Sequence, residues 1–264
     1  MLTSLQNSTV KRLRKLKQSK ERRRQAQILL EGTNLIEAAC EVSYPLDVIC
    51  YTEAWQQRHE QICCQAIAQA DQVELVSPEV LKSIASTVTP DGVVAIAPRR
   101  QAWQEANARL KDNIQLGVML ETLQDPGNLG TIIRSAAATG VDGLWLSADS
   151  VELGHPKVLR ASAGQWFRVP MATADLIEQA QQLQSQGIQL FATAASAEQD
   201  YWDLDLRQPT VFMMGNEGSG LSAALVEHAT ATVKIPVMPG VESLNVAVST
   251  ALLLYEARRQ RSHA

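Results

Sequence analysis

"IQLGVMLETLQDPGNLGTIIRSAAATGVDGLWLS", Ile114 to Ser147, reads as strand, loop, helix and strand in succession. The apolar run up to Leu120 has strand length. The turn at Asp125 to Gly127 carries the Pro and Gly that tight backbone geometry favours, and Leu129, Ile132, Ile133, Ala136 and Ala137 recur at the spacing of one buried helix face. "GLWLS" follows as a second apolar strand. Strand, helix and strand in this order is the unit of a parallel sheet, whose ligand-binding loops lie at the carboxyl ends of the strands.

Working outward, the same alternation continues through "PKVLRASA", "ADLIEQAQQLQSQG", "IQLFATA", "TVFMMG", "SGLSAALVEHA", "TVKIP" and a long final helix. Towards the N-terminus a smaller α/β unit is expected from "QILLEG", "TNLIEAACEV", "LDVICYT", "EAWQQRHEQICCQAIAQA", "VELVS", "PEVLKSIAST" and "GVVAIAP". Thr33 and Ser77 are expected as N-caps, with Pro78 at a first helical position. The charged, amide-rich "RRQAWQEANARLKDN" is read as a link. The expected organisation is therefore a domain over 1–98 with a basic arm over 1–24, a linker over 99–113, and a larger domain over 114–264 with a mainly parallel sheet.

The composition, 45% apolar and 20% charged, is that of a globular chain able to bury a core. The N-terminus has no apolar stretch of signal-peptide type and no apolar run reaches membrane-span length, so a cytoplasmic protein without a membrane partner is expected. Cys40, Cys50, Cys63 and Cys64 form no C-x-x-C pair and the four histidines are scattered, so neither a disulfide framework nor a metal site is expected.

Charge is unevenly spread. Lys11, Arg12, Arg14, Lys15, Lys17, Lys20, Arg22, Arg23 and Arg24 face a single acid, Glu21, in the first 24 residues, a net +8 that leaves −12 on the rest of a chain of overall charge −4. A basic arm on an acidic body suits a polyanion, and the solvated helix face is the alternative. Val10, Leu13 and Leu16 keep an apolar stripe among these cations, so the arm can dock and still present charge.

Three loops carry chemistry. On the helix after Asp125, Arg134 lies off the apolar face, one turn from Gly130 and from Ala138, with room for a bulky anion at its guanidinium. An arginine paired with an acid elsewhere is the other reading. The loop "FMMGNEGSGLS" sets Gly215, Gly218 and Gly220 around Glu217. It is neither G-x-G-x-x-G nor a P-loop, and with a carboxylate and no lysine it suits a neutral or cationic ligand. In "KIPVMPGVESLNVAVSTALLLYEARRQR", Lys234 to Arg261, Ser243 is expected to cap a helix that is apolar nearly all round and so buried on most sides. Asn245, at its buried mouth, requires fixed partners. Arg258, Arg259 and Arg261 suit the negative end of that helix.

In order and spacing, the loops together resemble the TrmH/SpoU family of S-adenosylmethionine-dependent RNA ribose 2′-O-methyltransferases. N-x-G-x-x-x-R stands as Asn128, Gly130 and Arg134; G-x-E-x-x-G as Gly215, Glu217 and Gly220; I-P followed by S-L-N as Ile235, Pro236, Ser243, Leu244 and Asn245. One departure is Gly240, set one place later than in the family's I-P-M-x-G. The stretches "LTSLQNSTVKRLRKLKQSKERRR" and "LLEGTNLIEAA" resemble the substrate domain of the rRNA-modifying branch. The resemblance implies a trefoil-knotted C-terminal domain, a homodimer and an RNA substrate, most naturally large-subunit rRNA. It implies that S-adenosylmethionine is held by Thr193, Ala194, Ala195, Gly215, Asn216, Glu217, Gly218, Ile235, Val237, Met238, Ser243, Leu244 and Asn245. Arg134 is implied as the central catalytic residue, with Asn128, Glu217, Ser243 and Asn245 orienting it and the ribose. A tRNA ribose methyltransferase and a non-catalytic ribosome-assembly factor are the competing readings.

Overall fold

The computed structural model describes residues 1–99 and 114–262; the linker expected over 99–113 lies, from residue 100, outside the described residues. Two compact units emerge, and one segment crosses the boundary expected from sequence: Glu152–Phe167 belongs with the N-terminal unit rather than with the larger one.

The first unit is built on a four-stranded sheet of order β1-β4-β2-β3, with β1 Gln27–Glu31, β2 Leu46–Tyr51, β3 Ala70–Leu75 and β4 Val93–Pro98. β4 runs antiparallel to both of its neighbours, while β2 and β3 are parallel. The basic arm is helical over Ser8–Lys15 and Ser19–Gln25, and Asn7 Oδ1 caps its first helix by accepting from Thr9 N–H at 2.8 Å. Val10, Leu13 and Leu16 are buried in one core with Leu29, Val48, Val80, Leu81 and Ile96, so the apolar stripe does dock the arm. Ser77 caps the helix Pro78–Ile84 as expected. Thr33 instead begins its helix, and the Asp91 carboxylate accepts from both its N–H and its hydroxyl. "EAWQQRHEQICCQAIAQA" divides into the helices Glu53–Arg58 and Glu60–Gln69, because His59 leaves helical geometry at φ −131°, ψ 46°.

The crossing segment is held by two buried carboxylates. Glu152 Oε2 accepts from Arg22 Nη2 and Ser19 Oγ, both at 2.7 Å, and Arg99 Nη1 lies 3.0 Å from its other oxygen. Arg22 also donates to the carbonyls of Leu16 and Lys17, each at 3.0 Å, and is only 1% exposed. Arg160 donates to Glu31, 3% exposed, which further accepts from the backbone and hydroxyls of Ser86 and Thr87. The segment fits closely: a Cβ on Gly164, which has φ +82°, would lie 2.7 Å from Ala38 Cβ.

The second unit carries a seven-stranded sheet of order β7-β6-β5-β10-β8-β11-β9, all of whose pairings are parallel. Its strands are β5 Leu116–Leu120, β6 Gly143–Leu146, β7 Met171–Thr173, β8 Gln189–Thr193, β9 Gln199–Asp200, β10 Thr210–Met214 and β11 Ala231–Lys234. The central strands are buried at every position, and apart from Gly117 in β5 and Thr210 in β10 their residues are large and apolar, as burial on both faces demands. Chain order reverses beside β5 and β10, so the loops after β5, β10, β8 and β11 emerge side by side at the carboxyl edge. Helix Pro126–Thr139 follows β5 and packs against the final helix, Val246–Ser262.

Within the single chain that final helix is buried on one side only. Val246, Ala247, Thr250, Leu253, Leu254 and Ala257 are buried, but Val248, Leu252 and Tyr255, at i, i+4 and i+7, are 50%, 39% and 53% exposed in the single chain. Arg261 serves the fold rather than the helix dipole alone, donating to the carbonyls of Leu206, Gln115 and Gln208.

Burial pushes the Glu31 and Glu152 carboxyls up, but in each the hydrogen bonds and arginines outweigh it and hold the group below the ordinary range. A depressed folded value contributes stability above the unfolded value and loses it as pH falls through the folded one. Thermal melting is therefore expected to be flat from neutral pH down to about pH 5 and to drop below about pH 4.3. Glu152→Gln is expected to lower stability by about 3 kcal/mol at neutral pH, since it leaves the Arg22 charge buried; its acid slope, measured by scanning calorimetry, should be shallower than that of the parent.

Candidate functional site

Three of the four loops at the carboxyl edge are joined by a chain of side-chain amides. Asn245 stands immediately before the final helix, and its Oδ1 accepts from Ala247 N–H (2.9 Å) and Val248 N–H (3.4 Å). Asn245 rather than Ser243 is thus the helix cap; Ser243 is exposed two residues before it. With its oxygen committed to backbone donors, Asn245 can offer only Nδ2 outward, and Nδ2 donates to Asn128 Oδ1 at 3.0 Å. Asn128 then has only its own Nδ2 left, which donates to Glu217 Oε1 at 2.8 Å. The direction of the relay is fixed at both ends, by helix N–H donors at one and by an acceptor-only carboxylate at the other.

Each member has a rigid support. Asn128 lies in the first turn of helix Pro126–Thr139, which Asp125 caps by accepting Asn128 N–H at 2.8 Å. Glu217 sits at the tip of a loop closed by a backbone bridge in which Asn216 and Gly220 exchange N–H···O bonds of 3.0 and 2.9 Å. This closure dictates Gly215: a Cβ there would stand 2.1 Å from the Gly220 carbonyl carbon, an impossible contact. Asn216 Oδ1 accepts from Gly218 and Ser219 N–H, and its Nδ2 donates to the Thr122 carbonyl at 2.9 Å.

A further link between the β5 and β10 loops had no sequence signal, because its partners lie about a hundred residues apart. Glu121 accepts from Ser222 N–H and Oγ, both at 2.7 Å. Thr122, a β-branched residue, adopts φ +55°, a left-handed conformation that costs about 1–3 kcal/mol unless its surroundings impose it.

The remaining expected residues fall around this relay without joining it. Arg134 is exposed on the helix surface, and among the described residues no hydrogen bond ties it to Asn128, Glu217 or Asn245. Thr193, at the end of β8, donates its hydroxyl to the Met213 carbonyl at 3.0 Å, and Ala194 N–H donates to Val233, so this corner is braced by the sheet. Ala195 is exposed and Ile235 half-buried. Val237, Met238 and Leu244 present apolar surface, 40%, 77% and 37% exposed. Among the described residues, no group of three or more His, Cys, Asp or Glu side chains could hold a metal ion, and no helix is long and apolar enough to cross a membrane.

In the arm, Arg22 is corrected: buried against Glu152 and two carbonyls, it is a structural clamp and has no face for a phosphate. Lys17 donates to the Ser83 carbonyl and Arg24 pairs with Glu21. Lys11, Arg12, Arg14, Lys15, Lys20 and Arg23 remain exposed.

Residues 115–255 match the SpoU rRNA Methylase family, and residues 7–95 match the MRM3-like substrate binding domain. The chain belongs to the SpoU family. It is 46% identical over 261 residues to an uncharacterized tRNA/rRNA methyltransferase of Synechocystis, covering 98% of this chain and 94% of that protein. It is 29% identical over 257 residues to the 23S rRNA (guanosine(2553)-2′-O)-methyltransferase RlmP of Bacillus subtilis, covering 97% and 98%. Among solved structures, the AdoMet-bound rRNA methyltransferase of Sinorhizobium meliloti superposes with a TM-score of 0.85 at 32% identity, covering 98% and 97% of the two chains.

If the relay is continuous, its ends are energetically coupled. Asn245→Ala should destabilise by about 1 kcal/mol through the lost cap. A double-mutant cycle with Asn128→Ala, read by denaturant melts, should return a coupling of about 0.5–1 kcal/mol, whereas independent side chains would give additive losses.

Proposed function

We propose that this SpoU-family enzyme transfers the methyl group of S-adenosylmethionine to a ribose 2′-hydroxyl of large-subunit rRNA, at the site where Asn245, Asn128 and Glu217 meet. The observation that carries this reading is the relay itself. It spends every polar atom of the two amides on fixed partners and leaves Glu217 Oε2 as the outward acceptor for a hydroxyl proton.

The residues at the carboxyl edge fit the cofactor. The loop Gly215–Gly220 offers backbone and one carboxylate without a lysine, which suits a cation, and exposed Val237 and Met238 offer an apolar seat for a flat ring. Thr193, Ala194, Ala195, Gly215, Asn216, Gly218, Ile235, Val237, Met238, Ser243 and Leu244 would hold it. When bound, S-adenosylmethionine supplies an electrophilic methyl group on a positively charged sulfur. The chain's own residues orient the attacking hydroxyl in line, receive its hydrogen bond at Glu217 and exclude water.

Arg134 acts by charge. A guanidinium keeps its proton and does not serve as a base, so Arg134 holds a phosphate of the target nucleotide, and the ribose proton leaves along its hydrogen bond to Glu217. The exposed cations of the arm, Lys11, Arg12, Arg14, Lys15, Lys20 and Arg23, carry the sequence-independent part of RNA affinity.

The open stripe Val248, Leu252 and Tyr255, continued by Leu244 and Val241, supports a second copy of the chain as partner. The knot implied for this fold and a cytoplasmic location belong to the same reading.

The test is transfer of a labelled methyl group to unmodified rRNA and tRNA transcripts in parallel. Label in rRNA, with one phosphodiester made resistant to alkali, is expected. Arg134→Ala should abolish transfer while leaving cofactor affinity within a few fold. Equal loss of both would assign Arg134 to the cofactor site or the fold instead.

A further inference from the structure

Thr122 is a β-branched residue at φ +55° in the loop that opens the first motif. Side chains of this kind rarely hold that conformation unaided, so its surroundings must impose it. They do so from the loop after β6. Ser147 Oγ accepts Thr122 N–H at 2.8 Å, and Asp149 Oδ2 accepts the Thr122 hydroxyl at 2.8 Å. Asp149 Oδ1 in turn accepts Ser147 Oγ at 2.5 Å, which aims the serine oxygen at the Thr122 amide. One carboxylate therefore fixes Thr122 from both its backbone and its side chain. Ser150 Oγ, accepting Leu123 N–H at 3.0 Å, pins the next residue of the same turn.

What the left-handed twist achieves is the direction of the Thr122 carbonyl. That oxygen accepts Asn216 Nδ2 at 2.9 Å, which leaves Asn216 Oδ1 to take the N–H groups of Gly218 and Ser219. Glu217 is the residue between these anchors. A path of hydrogen bonds thus runs from Asp149 through Thr122 and Asn216 to the loop that presents Glu217.

We infer that Asp149 is a positioning residue for methyl transfer: it holds Thr122 in the left-handed conformation that sets the Glu217 loop. The inference rests on the role proposed for Glu217. Asp149 is exposed and touches neither the relay nor the core, so its removal leaves the fold standing. Its hydroxyl partners hold its carboxyl below the usual aspartate range, Ser147 first and then Thr122, consistent with a committed acceptor.

The logic makes a specific rescue available. If Asp149 matters only because Thr122 must be held at positive φ, a residue that accepts positive φ by itself should make Asp149 dispensable. Asparagine and glycine are such residues. In the full-length enzyme, Asp149→Ala is expected to lower the single-turnover rate by about 10- to 100-fold, with S-adenosylmethionine affinity within a few fold. It is also expected to speed hydrogen exchange of the peptide spanning 214–222. Adding Thr122→Asn, or separately Thr122→Gly, to Asp149→Ala should return rate and exchange protection to the level of that Thr122 variant alone.

Failure of both Thr122 substitutions to restore what Asp149→Ala loses would overturn the inference, as would an Asp149→Ala enzyme matching the parent in rate and exchange. Absence of methyl transfer by the parent enzyme itself would instead defeat the functional reading, and the exchange measurement would still report on the loop.

Discussion

A side-chain amide has one oxygen and one nitrogen, and at Asn245 the final helix takes the oxygen for its first free N–H groups. Everything around the candidate site follows from where the nitrogen must then go. It can only donate, so Asn128 must receive with its carbonyl and donate with its own nitrogen, and what stands beyond must be an acceptor, which Glu217 is. The relay costs three polar side chains at the edge of a sheet. In return, three loops that are far apart in sequence acquire one mutual geometry, and the acid at the end of the chain is exposed. Parallel topology makes this possible, since adjacent strands β5, β10, β8 and β11 deliver their loops to one edge.

Charge in the arm serves two ends. Nine cations in 24 residues read alike in sequence, yet in the structure Arg22 is the most buried large cation of the N-terminal unit and is bonded to Glu152, while Lys11, Arg12, Arg14, Lys15, Lys20 and Arg23 face outward. Val10, Leu13 and Leu16 turn one side of the arm to the core and leave the cations of its first helix in water, while Arg22, on the second helix, is drawn in by Glu152 and by the Leu16 and Lys17 carbonyls. Through Arg22 and Arg160 the unit also gathers Glu152–Phe167, so the N-terminal unit is assembled from two stretches of chain rather than one.

Much of this was legible in sequence wherever a single element carries its own pattern. The strands from "IQLGVMLE", "IQLFATA" and "TVFMMG" and the amphipathic helix from Pro126 appear where periodicity placed them, and the Gly-rich loop closes on itself as its glycines allow. What failed to show were relations between distant residues. Ser243 looked like the cap of the final helix because the type is right; Asn245 takes the role because its oxygen reaches Ala247 N–H. Glu152–Phe167 has the composition of any α/β segment, and its assignment to the N-terminal unit depends on an arginine 130 residues earlier. The Val248, Leu252 and Tyr255 stripe lies on a helix that is apolar nearly all round, and one chain covers only one side of it. The short strands β7 and β9 are held by their neighbours and have no pattern of their own.

The central claim is that Glu217, aimed by Asn128 and Asn245, receives the reacting hydroxyl. The most direct measurement is the single-turnover rate of Glu217→Gln on rRNA at saturating S-adenosylmethionine, beside the affinity of the same variant for the cofactor. Glutamine keeps the size and can still accept from Asn128, but it replaces the outward carboxylate oxygen with a donor. A rate lowered by about 100-fold with cofactor affinity nearly unchanged is the result expected if the carboxylate orients the hydroxyl in the transition state. A Glu217→Gln enzyme as fast as the parent would contradict it and reduce the relay to a brace between loops.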